Sequence, residues 1–132
     1  MIYKLVMAAH IALYRLTRGR LGGKSIVLLT TTGKRTGQPR TKPLFHIRDG
    51  GDYIVIASAG GSPKNPAWYA NLVANPRVTL EDHGRSLAGT ASTVGAGDRT
   101  RVWAAVVTKN PGFKSYEQRT DREIPLVRIH PA

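Results

Sequence analysis

"SIVLLTTTGKRTGQPRTKPLFHIRD", residues 25–49, holds two strands and the turn between them. Residues 25–32 are apolar and β-branched, the composition of a buried strand. Residues 33–39 carry two glycines and a proline, which is turn chemistry. Residues 40–49 then alternate, with Leu44, His46 and Arg48 on one face and Phe45 and Ile47 on the other. The stretch therefore reads as an antiparallel hairpin whose turn is ringed by Lys34, Arg35, Arg40 and Lys42. So many cations at one turn form either an ordinary solvated hairpin or the seat of a strongly anionic partner.

The same reading extends in both directions. Residues 49–52, DGGD, are a tight turn, and 53–58, YIVIAS, a second buried strand. After a break at 59–64, Asn65 and Pro66 read as an N-cap and first helical position for a helix over 67–74. Asn75-Pro76 stops it. Strands follow at 77–82 and 85–93, joined by a turn at His83-Gly84. Val102, Trp103, Val106 and Val107 mark a helix over 98–109. Residues 110–123 read as a loop or short helix, and 124–130 as the last strand. Strands joined mainly by hairpins, with helices inserted, favour an antiparallel barrel or sandwich over a doubly wound parallel sheet. No Gly-x-Gly-x-x-Gly run follows a strand, and the basic turn lacks the earlier glycine of a P-loop.

At 132 residues the chain is one domain with room for a core. It has no cysteine, which excludes disulfides, thiolate metal sites and thiol catalysis and fits a reducing cytoplasm. Twenty Lys and Arg against eight Asp and Glu give +12, an attraction for nucleic acid, an acidic membrane face or a polyanionic small molecule. Nucleic acid is disfavoured: beyond Trp68, Tyr69 and Phe113 little aromatic surface offers itself for base stacking, and no recognition motif is present. The four histidines, at 10, 46, 83 and 130, are scattered, so no metal is expected. Ser58 sits in ASAGG, outside any Gly-x-Ser-x-Gly elbow.

Residues 1–20 place apolar side chains at 2, 5, 6, 9, 13 and 16, which is helical spacing. Lys4 and Arg15 enclose only ten residues, where a membrane span needs about 20. No small-residue cleavage site follows the apolar stretch, so it does not read as a signal peptide. This amphipathic helix either packs on its own domain or lies on an anionic membrane.

Two stretches offer a site. At the basic turn, glycines let backbone N–H groups approach a ligand, and Arg35 and Arg40 have the fork geometry to grip phosphate or carboxylate. In "SAGGSPKNPAWYANL", residues 58–72, small residues leave room for a flat ring, with Trp68 on the helix that follows. Trp68 and Leu72 equally read as the core face of that helix.

Three blocks, "VLLTTTGKRTGQPRTKPLFHIRDGG", "IVIASAGGSPKNPAWYANLVANPRV" and "TDREIPLVRI", together resemble the deazaflavin-dependent nitroreductases and F420H2-dependent quinone reductases, which use coenzyme F420. The resemblance spans nearly the whole chain. It implies a mainly β fold with α insertions: a six-stranded antiparallel split β-barrel of the FMN-binding type over 21–132, preceded by the amphipathic helix of 1–20. It implies that Lys34, Arg35, Thr36 and Arg40 hold the cofactor's phosphate and oligoglutamate tail. Lys42, Pro43, Leu44 and Phe45 would pass beside the deazaflavin. Ala57, Ser58, Ala59, Gly60 and Gly61 would line its ring, and Trp68, Tyr69 and Asn71 would complete the pocket. The implied reaction is hydride transfer from reduced F420 to a quinone, activated alkene or nitro compound, with Ser58 or Tyr116 bonding the acceptor oxygen. A protein that binds F420 or FMN without catalysis is the alternative, FMN being less suited because one phosphate hardly needs so many charges. The implied partners are a small hydrophobic acceptor, a second copy of the chain, and the inner face of the cell membrane through residues 1–20. Asn110 and Phe113 depart from the family's nitroimidazole-activating members by standing where tyrosines occur, and only Tyr116 keeps the hydroxyl. That departure weighs against nitro-drug reduction.

Overall fold

Each central strand sends apolar residues to both of its faces, so the sheet has two sides to bury. The computed structural model describes residues 2–20 and 23–132. In chain order the elements are α1 (Ile2–Leu16), β1 (Ile26–Thr32), β2 (Pro39–Asp49), β3 (Asp52–Ile56), a 3₁₀ turn (Ala59–Gly61), α2 (Ala67–Ala74), β4 (Arg77–Asp82), β5 (Arg85–Thr93), α3 (Ala96–Lys109), α4 (Gly112–Gln118) and β6 (Leu126–Pro131). The six strands close into an antiparallel barrel in the order β1-β2-β3-β6-β5-β4.

Inward, Val27 and Leu29 of β1, Tyr53 and Val55 of β3, and Val127 and Ile129 of β6 meet Trp68 and Leu72 of α2. Outward, Ile47, Ile54, Ile56 and Leu126 are covered by Val102 and Val106 of α3 and Phe113 of α4. Burying each such side chain contributes about 1.5–3 kcal/mol. The alternation of β2 holds as read: Leu44 packs on the inner core, Phe45 and Ile47 on the outer one.

Two prolines in β2 have a topological reason. The bonds Gly33 N–H to Gln38 O and His46 N–H to Ser25 O fix the phase of the β1–β2 ladder. On that phase, Pro39 and Pro43 point their nitrogens away from β1. β3 pairs only with His46–Asp49 of β2. Residues 39–45 are therefore an open edge on that side, where proline costs no ladder bond.

Several boundaries differ from the sequence reading. β3 ends at Ile56, because the Ala57 N–H bonds the Pro125 carbonyl and the Ala57 carbonyl accepts from Arg122. β6 begins at Leu126, after Pro125. Asn65 does not cap α2. Pro66 holds the N-cap position without a side-chain bond, and Asn65 Oδ1 accepts from Arg122 instead. α3 begins two residues early, at Ala96, and residues 112–118 of the expected loop form α4.

For α1 the sequence left two readings open. Its apolar stripe does not pack on the barrel: Ile2 is 79% exposed, Leu5 66% and Leu16 83%. The anchor is Tyr14, buried, whose hydroxyl donates to the Ile26 carbonyl (2.8 Å) and accepts from the His83 backbone N–H (3.0 Å). Among the described residues no helix is long and apolar enough to cross a membrane.

Candidate active site

The basic turn is clamped by α2. Asn71 Oδ1 accepts the Lys34 backbone N–H (2.9 Å), and Asn71 Nδ2 donates to Thr31 Oγ1 (3.2 Å). The turn is tight enough that a Cβ on Gly33 would lie 2.7 Å from Thr36 Oγ1. Thr36 Oγ1 also accepts from Arg40 (3.4 Å), which steers that guanidinium over the turn. The result is a cavity of about 510 Å³ between Gly33–Thr36, Arg40 and Lys42 on one side and Ala67, Trp68, Ala70 and Asn71 on the other. Among the described residues no carboxylate pairs with Lys34, Arg35, Arg40 or Lys42. The charge at this turn is left for something else.

A second cavity, about 610 Å³, adjoins the first and shares Lys42, Ala67 and Trp68 with it. Its walls are mostly apolar: Pro43 and Leu44 of β2, Ile56, Trp68, and Phe113 of α4. Tyr3 and Met7 of α1 form an outer wall, with Lys42 Nζ 5.3 Å from the Tyr3 ring centre. Ser58, Ala59 and Gly60 line its far side, together with Tyr116. Neither the Ser58 nor the Tyr116 hydroxyl bonds another described residue. Both are therefore available to a bound molecule.

The segment carrying Ser58 has a backbone that side chains seldom permit. Ala59, Gly60 and Gly61 take positive φ in succession, at 47°, 65° and 82°. Gly61 must also be small, since a Cβ there would lie 2.9 Å from the Tyr116 carbonyl oxygen. What holds this shape is Arg122. Its guanidinium donates to the carbonyls of Ala57 (3.2 Å), Ser58 (2.7 Å) and Ser62 (2.9 Å) and to Asn65 Oδ1 (2.7 Å). One side chain thus satisfies a loop with no strand partner.

The structure brings most of the sequence-derived residues together. Lys34, Arg35, Thr36, Arg40, Trp68 and Asn71 line the cationic cavity, though the Asn71 amide is spent on the turn. Lys42, Pro43, Leu44, Ser58, Ala59, Gly60, Trp68 and Tyr116 line the apolar one. Four do not line either cavity. Ala57 lies in the barrel core, Gly61 packs beneath α4, and Phe45 backs Phe113 at 5.3 Å between ring centres. The Tyr69 hydroxyl bonds Thr93 Oγ1 (2.8 Å) on β5. Asn110, outside the cavity, uses its side chain on the Gly112 N–H, while Phe113 and Tyr116 meet edge to face at 5.5 Å. Arg122, Tyr3 and Met7 escaped the sequence reading. The helical spacing of Tyr3, Met7 and Tyr14 was the available signal for α1; nothing local marked Arg122, whose acceptors lie 57–65 residues away.

Comparison with known proteins supplies the chemistry. A family model described as F420H(2)-dependent quinone reductase matches residues 6–131. An F420H(2)-dependent quinone reductase of Mycobacterium tuberculosis is 40% identical over 130 residues, covering 92% of this chain and 87% of that protein. A solved F420-H2 dependent reductase, FDR-A, is 38% identical with a TM-score of 0.75, covering 81% of this chain and 95% of that one. A domain-swapped dimer is 33% identical with a TM-score of 0.77, covering 98% of this chain and 100% of that one. Motif, barrel and alignment agree along almost the full length, and the chain belongs to the F420H(2)-dependent quinone reductase family, oxidoreductases whose cofactor is reduced coenzyme F420.

Proposed function

We propose that this protein reduces a quinone at the junction of the two cavities. The observation that carries the reading is their adjacency: a cationic cavity without acidic partners opens, across Lys42 and Trp68, into an apolar one with two free hydroxyls. That pairing fits a cofactor with an acidic tail and a flat, largely uncharged ring. The bound deazaflavin supplies the hydride, and the protein contributes position and electrostatics.

Arg35 and Arg40 hold the tail by charge-assisted hydrogen bonds. The Ala59–Gly61 turn presents backbone without side chains beyond Cβ, which lets a ring lie close to it. Phe113, Leu44 and Met7 exclude water from the acceptor. Tyr116 and Ser58 are placed to donate a hydrogen bond to the acceptor oxygen as charge develops there. A quinone suits these walls better than a nitro drug, because Phe113 brings no hydroxyl and Asn110 stays outside. Activated alkenes make the same demands as quinones and belong to the same reading.

The exposed stripe of α1, with Lys4, Arg15 and Arg18 beside it, supports docking on an anionic membrane, where lipid-soluble quinones reside. The domain-swapped neighbour supports a homodimer.

Mixing the purified protein with reduced F420 and menadione tests the reaction. Return of F420 fluorescence at a rate proportional to enzyme is expected. Quenching of the bound cofactor without turnover on any quinone or enone would make this a binding protein instead. Replacing both Arg35 and Arg40 by alanine should raise the cofactor Kd about tenfold or more.

A further inference from the structure

The turn between β4 and β5 holds a histidine where the backbone favours a different residue. His83 and Gly84 both take positive φ, at 51° and 87°. Two-residue hairpin turns of this kind prefer Asn-Gly or Asp-Gly, because few side chains tolerate that region at the first position. The surroundings of the ring show what a histidine adds there.

The ring is seated among segments distant in sequence. Its Nδ1 lies 2.6 Å from Asp82 Oδ1, and its Nε2 lies 3.2 Å from the Gly23 carbonyl oxygen. It tilts against the Tyr14 ring at 5.6 Å between centres, and a Cβ on Gly19 would collide with it. Tyr14 belongs to the last turn of α1, Gly19 and Gly23 to the chain returning from α1 to β1, and Asp82 to the end of β4. His83 therefore braces the base of α1 against the barrel. Its side chain is 32% exposed, so water can deliver and remove a proton.

The number of protons on the ring decides when this brace is complete. A carboxylate and a carbonyl only accept, so both bonds exist together only when both ring nitrogens carry hydrogen, in the imidazolium. The neutral ring has one N–H and serves one acceptor. Burial raises the Asp82 pKa, but hydrogen bonds from His83 and Tyr53 outweigh it and hold that carboxyl below its ordinary value. Asp82 is thus ionised and the stronger acceptor, and the Gly23 bond is the one given up. Histidine is the side chain that changes charge between about pH 5 and 8.

The charged neighbours keep their state over that range. Burial holds the Tyr14 and Tyr53 phenols above their usual pKa. Arg18, Arg20 and Lys24 of the returning chain, Arg48 of β2 and Arg85 of β5 stay cationic. Glu81 is paired with Arg15. His46 of β2, near Asp82, is pushed down by burial, and its Nδ1 donates to the Ser25 carbonyl.

We propose that His83 is a pH-sensitive latch on α1: the imidazolium closes the bond to Gly23 and holds the helix, and the neutral ring releases it. Release slackens the wall that Tyr3 and Met7 of α1 give to the apolar cavity. The Tyr14 hydroxyl bonds do not titrate in this range and keep the helix attached in both states. The latch acts on α1 itself and does not depend on which acceptor is reduced.

Hydrogen exchange of residues 3–16 at about pH 5.5 and 8.5, corrected for the intrinsic rate at each pH, tests the latch. In wild type, protection should be about fivefold lower at the higher pH, with the amides of β3 unchanged. His83→Asn suits the positive φ and cannot titrate, so it should show the lower protection at both pH values. Nitrogen NMR shifts of the wild-type ring give a second reading: both nitrogens protonated in acid, Nδ1 alone in base. Equal wild-type protection at the two pH values overturns the proposal. So does the same pH dependence in His83→Asn, or a neutral ring protonated on Nε2.

Discussion

Arg122 is the residue on which the ring-side wall depends. Its four bonds replace the strand partner that residues 57–65 lack. Arg122→Ala leaves three carbonyls without their donor and should cost about 3 kcal/mol, read as a lower midpoint in urea denaturation. Arg122→Lys should recover little, because one ammonium does not reproduce the planar fork. Tyr116→Phe addresses chemistry instead of shape. If its hydroxyl steadies the acceptor oxygen, kcat falls about 100-fold while cofactor affinity holds; an unchanged kcat would hand the role to Ser58 or to water.

At the scale of elements, two sets of contacts do separate jobs. Tyr14 ties α1 to β1 and to the β4–β5 turn, and burial holds its phenol above the usual pKa. Tyr14→Phe should cost about 1 kcal/mol and show first as faster amide exchange in α1, with barrel amides still protected. At the opposite end, the β2–β3 turn is tied to α3 and β6: Asp49 accepts from Arg101 (2.9 and 3.1 Å) and Arg128 (2.9 Å). Hydrogen bonds from Arg101 and then Arg128 lower the Asp49 pKa to about 2. A carboxylate with a depressed folded-state pKa stabilises the fold above its ordinary value near 4, and the contribution disappears as pH falls through about 2. Asp49→Asn should therefore be about 1 kcal/mol less stable at pH 7, a figure reduced for solvent screening. The two proteins should converge near pH 2 in denaturant titrations.

For the whole molecule, a net charge of +12 means that salt tunes every anionic encounter. Full-length protein should float with vesicles rich in anionic lipid and less so at high salt. Leu5→Glu/Leu16→Glu, at positions exposed by 66% and 83%, should abolish flotation without lowering the melting temperature. Flotation equal to wild type would place membrane contact elsewhere or leave charge alone responsible. The same scale sets how legible the site was. The basic turn could be read because its cations lie within nine residues of one another. The Arg122 clasp and the α1 wall could not, because they join segments about 60 and 40 residues apart along the chain.

The sequence by itself determined the hairpins, the two-sided burial of the strands and the charge at residues 34–42, since each depends on neighbours a few positions apart. Only the tertiary structure decided which strands close the barrel, with β1 against β4 and β3 against β6. Closure is a matter of long-range pairing that local pattern does not encode. It also decided the direction of α1. A stripe of leucine, isoleucine and valine would ordinarily face inward, but the Tyr14 hydroxyl bonds orient the helix so that this stripe meets the surroundings.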